Sequence, residues 1–77
     1  MLNTVIFEAD RLRQARQLAM LTKREVAEAS GVSPAAVGQY EAGVAVPRSE
    51  TISRLARALD VPEAFFGSGR PLQRLET

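Results

Sequence analysis

Thr22, Lys23 and Arg24 stand where one short helix should begin, and Ser33, Ala35, Ala36 and Gln39 run along the next. Residues of these types suit recognition. Helix N-terminal amides flanked by a hydroxyl or a cation hold a phosphate, an amide side chain pairs with the donor and acceptor edge of a base, and methyl side chains touch apolar edges. Catalysis has no comparable set. The chain contains no histidine and no cysteine, so the commonest general base, a thiolate nucleophile and thiolate zinc ligands are all missing. No Gly-rich phosphate loop occurs, and the carboxylates fall at capping and surface positions. No enzyme activity, no cofactor and no metal site is expected.

The residues between these two groups are punctuation. Thr22 followed by Glu25 is a capping box, Leu21 and Val26 can form its hydrophobic staple, and Gly31 suits a left-handed helix end. Gly31 is expected to have positive φ and to allow close approach of the next helix. Ser33 is a good N-cap, Pro34 falls at N1 where its missing N–H costs nothing, and Val32 with Val37 repeats the staple. The turn from Ser30 to Ser33 is as short as a helix-turn-helix requires. Any one of these caps is common; the ordered set points to DNA binding ahead of a plain helical hairpin.

Around this pair the chain reads as all-α, with five helices expected at about Ala9 to Ala19, Lys23 to Ala29, Pro34 to Glu41, Ser49 to Leu59 and Pro62 to Phe66. Ile52, Leu55, Ala56 and Leu59 form an i, i+3, i+4, i+7 core stripe, and Leu12, Ala15 and Ala19 do the same for the first helix. Phe65 and Phe66 are expected to plug the bundle, a dimer contact being the alternative. With 77 residues of which 45% are hydrophobic, there is room for one modest core and no large catalytic cleft. The expected organisation is an N-terminal arm (1–8), a helix-turn-helix domain (9–66) and a tail or linker (67–77). The first residues have no basic n-region and no long apolar run, so neither a signal peptide nor a membrane span is expected and the cytoplasm is the default compartment.

Net charge is only +1, so its distribution matters more than its sum. Arg11, Arg13, Arg16, Lys23 and Arg24 cluster early, Arg48, Arg54 and Arg57 around the fourth helix, and Arg70 and Arg74 in the tail. Between Ser33 and Pro47 there is no basic residue. Glu50 and Arg54 form an i,i+4 pair on a solvated face.

The run Arg11-Leu12-Arg13-Gln14-Ala15-Arg16, with Leu21-Thr22, Val26-Ala27, Gly31-Val32-Ser33, Val37, Tyr40-Glu41, Gly43, Pro47 and the Leu55 to Val61 segment, resembles the Cro/C1-type (Xre) repressor family over residues 9–66. A narrower similarity, carried by Asn3 to Phe7, Gln39-Tyr40-Glu41 and Val61 to Phe66 followed by Gly-Arg-Pro, is to the amino-terminal domain of longer regulators in which a metallopeptidase-like domain follows. The broad resemblance implies a five-helix repressor-type domain that places its third helix in the major groove. In that geometry Ser33, Ala35, Ala36 and Gln39 read bases, Gln39 pairing with the N6 and N7 edge of adenine and the alanines touching thymine methyls, while Val37 and Tyr40 face the bundle. Thr22, Lys23, Arg24 and Arg48, with Arg13 as a further cation, bind phosphates. Arg16 and Glu41 occupy the family positions of a structural salt bridge.

Three departures qualify the match. Lys23 replaces the usual Gln and loses its paired donor and acceptor, Val44-Ala45-Val46 stands where basic residues are common, and Arg48 replaces a small residue after the proline. So few cations imply weak binding by a lone domain and a homodimer on two half-sites ~34 Å apart on double-stranded DNA. The rival reading is a protein-interaction or antitoxin-type domain with the same fold, which salt-insensitive behaviour toward DNA would favour.

Overall fold

Caps and turns divide the chain. A computed structural model describes residues 7–67 and builds them as α1 (Ala9–Leu18), α2 (Lys23–Ser30), α3 (Pro34–Ala42), α4 (Ser49–Leu59) and α5 (Ala64–Gly67), with no strand among the described residues. Most of the expected arm and all of the expected tail after Gly67, including Arg70 and Arg74, lie outside the described residues.

Each of the first four helices ends the same way. The residue past the last turn is left-handed, at Met20 (φ 60°), Gly31 (77°), Gly43 (77°) and Asp60 (58°). The following amide then reaches back five residues, Leu21 to Arg16 O at 3.1 Å, Val32 to Ala27 O at 3.1 Å, Val44 to Gln39 O at 3.0 Å and Val61 to Ala56 O at 3.0 Å. These are Schellman closures, which occupy otherwise orphaned terminal carbonyls. Glycine signals the middle two from sequence, whereas Met20 and Asp60 carry no such signal. The expected close approach at Gly31 is corrected: an added Cβ would meet nothing within 4 Å, so the demand on that residue comes from φ alone.

The closure at Met20 also corrects the first helix. It stops at Leu18, leaving Ala19 exposed rather than on the core stripe. At the other end, Pro62 and Glu63 form a turn that accepts from the amides of Phe65 (3.0 Å) and Phe66 (3.1 Å), so α5 starts two residues later than expected.

The core joins Leu12 and Ala15 of α1, Val26 and Ala27 of α2, Val37 of α3, four residues of α4 and Phe66 of α5. Leu21 and Val32, the outer halves of the two staples, pack against it partly buried. Phe66 is fully buried, with the ring of Phe7 5.6 Å away and that of Phe65 6.1 Å away, edge-on. Phe65 is half-buried under the Arg11 guanidinium, 4.8 Å from its ring centre, a cation–π contact. The Glu8 amide donates to Phe66 O at 2.9 Å, which ties the start of the described chain to its end. α2 packs on α3 and α4, and α1 packs on α3 and α5.

Candidate nucleic-acid interface

The head of α2 is built by reciprocal hydrogen bonds: the Glu25 amide donates to Thr22 Oγ1 at 3.0 Å and the Thr22 amide donates to Glu25 Oε1 at 2.8 Å. One first-turn amide is thereby used within the helix, and the Glu25 carboxylate stands close to the end where an anion would bind. Thr22, Lys23 and Arg24 are exposed. The end of α2 is satisfied internally, since the buried Ser30 hydroxyl donates to Val26 O at 2.6 Å.

α3 starts with the Ala36 amide donating to Ser33 Oγ at 3.0 Å and Pro34 in the first turn. Along it, Val37 and Glu41 are buried and Tyr40 is half-buried, while Ala35, Gln39 and Ala42 are exposed and Ala36 is half-buried. Ala35, Gln39 and Ala42 fall at i, i+4 and i+7, one stripe of a helix, and Pro34 in the first turn is exposed as well. Ala42 joins it because α3 runs one residue beyond the expected Glu41, and the same spacing, extended by one step, could have found it. Val44 and Val46 follow, 75% and 71% exposed.

An ion pair holds that orientation. Arg16 Nε donates to Glu41 Oε2 at 2.6 Å, its Nη2 to Oε1 at 3.1 Å and its Nη1 to Leu21 O at 3.1 Å. One guanidinium thus ties α1 and the turn before α2 to the end of α3. The two side chains are 15% and 4% exposed, so the pair is largely removed from water. The hydrogen bond that Arg16 donates to Glu41 raises the Arg16 pKa, desolvation opposes the rise and the Glu41 charge adds to it, and the guanidinium keeps its proton throughout. Arg13 also leans toward this carboxylate, with Nη2 3.4 Å from Glu41 O and Nε 3.9 Å from Oε1, and contacts Asp10 at 3.9 Å. It is therefore engaged within the domain. Arg48 is exposed at the N-cap of α4 and makes no capping bond with its side chain, while Arg54 meets Glu50 at 3.5 Å. Among the described residues no group of three or more acidic, histidine or cysteine side chains could hold a metal. No helix there is long and apolar enough to cross a membrane.

Comparison with known proteins places this geometry. A family model described as helix-turn-helix matches residues 12–66. The chain is 38% identical over 61 residues to multiprotein-bridging factor 1 of Candida albicans, covering 79% of this chain and 40% of that protein. Among solved structures, the restriction-modification controller protein C.AhdI of Aeromonas hydrophila superposes with a TM-score of 0.73 at 31% identity, covering 75% of this chain and 88% of that one. The DNA-binding domain of the P22 c2 repressor superposes with a TM-score of 0.78 at 22% identity over 96% of both chains, a likeness of fold.

Proposed function

The chain belongs to the helix-turn-helix family, of the Cro/C1 (Xre) type, and from that premise we propose that it is a sequence-specific double-stranded DNA-binding transcriptional regulator, a repressor acting as a homodimer in the cytoplasm. Binding is its role, without catalysis. The observation that carries this reading is the state of α3: capped at Ser33 and held from inside by Val37 and the Arg16–Glu41 pair, it turns Ala35, Gln39 and Ala42 outward. Laid in the major groove, such a stripe meets base edges, with Gln39 placed for adenine. Ser33 and Ala36 flank it at the helix head.

Phosphates fall to the head of α2. Because Thr22 already occupies the Glu25 amide, a phosphate would meet the amides of Lys23 and Arg24 and their side chains, with Arg48 as a separate cation. These contacts set register, and Gln39 supplies selection. The controller protein C.AhdI, similar at 31% identity, supports regulation as the role.

The test separates the two duties. Gln39→Ala should weaken binding to a preferred duplex by roughly 1–3 kcal/mol and relax preference at one base pair per half-site. Lys23→Ala should weaken binding to all duplexes alike and lower the slope of log K against log salt by about 1. Equal loss on preferred and random DNA for Gln39→Ala, or an unchanged slope for Lys23→Ala, would remove α3 from the groove. A protein-interaction role would then lead. It is favoured by the uncharged Val44 to Val46 loop and by the similarity to a multiprotein-bridging factor, of whose length the chain spans 40%.

A further inference from the structure

From Ser33 to Pro47 the sequence contains a single charged residue, Glu41, and the fold takes that charge out of play by burying it against Arg16 at 2.6 Å. What remains outside is Pro34 at the helix head, Ala35, Gln39 and Ala42 in one stripe, Ala36 half-buried beside them, and then Val44 and Val46, exposed at 75% and 71%. Such a face has no arginine or lysine to pair with guanine O6 and N7 and no carboxylate to accept from cytosine N4. Apart from Gln39 and Ser33, it offers methyl groups. The apolar feature that a major groove presents in return is the C5-methyl of a pyrimidine, present on thymine and on cytosine only after methylation.

Resting on the placement of α3 in the groove, we propose that this face recognises pyrimidine C5-methyl groups, so that thymine and 5-methylcytosine are bound alike and cytosine methylation raises affinity. Where alanine is the only protein group near a base pair, nothing hydrogen-bonds to position 4 of the pyrimidine or to the edge of its purine partner, and thymine O4 is not distinguished from cytosine N4. The methyl alone then decides. Burying one carbon of this size corresponds to about a fourfold change in Kd, so two methyl contacts together should give more than tenfold. Gln39 keeps its own requirement for adenine, which confines the equivalence to positions it does not touch.

The experiment uses the 77-residue chain and a duplex selected from a randomised pool, followed by fluorescence anisotropy. At each selected thymine the T·A pair is replaced in turn by U·A, C·G and 5-methylC·G, so that every duplex stays fully paired. The expected result is about fourfold weaker binding for uracil and for cytosine at two or more positions, with 5-methylcytosine restoring the loss. In Ala35→Gly the thymine-to-uracil ratio should shrink at one of those positions, and a general loss of folded protein would leave that ratio unchanged. Equal affinity for thymine and uracil throughout, or a selected site requiring guanine at the positions facing α3, overturns the methyl proposal while DNA reading stands. Absence of salt-sensitive binding to any duplex overturns both.

Discussion

α3 and α4 are of similar length and opposite design. α4 buries Ile52, Leu55, Ala56 and Leu59 as an apolar stripe with Thr51 beside it, and Glu50, Arg54 and Arg57 lie outside it. α3 buries only Val37 and Glu41, and its outer face is nearly as apolar as its inner one. A helix whose sequence lacks an inward and outward division cannot be oriented by hydrophobic burial alone. α4 is held by area removed from water; α3 is held by an N-cap, one buried valine, one half-buried tyrosine and an ion pair. The core helix therefore announces itself, and the exposed helix keeps a surface free for something beyond the protein.

Cutting the core helix should have the largest effect. Leu55 is fully buried, and Leu55→Ala should cost about 3 kcal/mol in urea denaturation through lost burial and the cavity left behind. A cost under 1 kcal/mol would mean that α4 is not the centre of the fold.

Next comes the fastening of α3. Arg16→Ala or Glu41→Ala alone should cost about 2–4 kcal/mol, because each leaves a poorly solvated charge without its partner. The double variant should cost less than the sum, with a coupling of about 1–3 kcal/mol. Zero coupling would show that α3 is held by packing, as α4 is, and would erase the contrast between them.

The turn between α2 and α3 sharpens the comparison at smaller scale. At φ 77° Gly31 stands where a β-branched residue is strained even though the space around it is open, so Gly31→Val should lower stability by about 1–3 kcal/mol from backbone strain. An unchanged melting temperature would refute the assigned turn. The smallest effect has the opposite sign. Met20 has φ 60° and is 88% exposed, so its side chain contributes little packing while its backbone carries the left-handed penalty. Met20→Gly should stabilise the domain by about 0.5–1 kcal/mol, the relief of that penalty less the extra chain entropy of glycine. A loss of stability would show that the Met20 side chain packs after all.

The residues Thr22 to Gly43 were legible because caps act over three or four positions and depend on residue type. The capping box, the Ser33 N-cap and the left-handed helix end at Gly31 could be located without any tertiary information, as could the α4 stripe from its period. Composition, with no histidine and no cysteine, removed imidazole and thiolate chemistry from consideration, and the resemblance to Cro/C1-type proteins followed from the cap and stripe residues. Other features depend on neighbours distant in sequence. That Arg13 leans on Glu41 rather than standing free and that Phe66, not Phe65, is fully buried depend on the packing of α1 against α3 and α5, and that Ala19 lies outside the core depends on the helix end at Leu18. The left-handed ends at Met20 and Asp60 were hidden for the same reason. Glycine adopts that conformation at little cost, so it marks such a turn in advance, whereas methionine and aspartate adopt it only when the surrounding chain requires it. Most consequential is Glu41. The resemblance to Cro/C1-type proteins implied its pairing with Arg16, but only the tertiary packing of two residues 25 positions apart decided that the pair is withdrawn from water, Glu41 being 4% exposed, and that the outer face of α3 is left neutral.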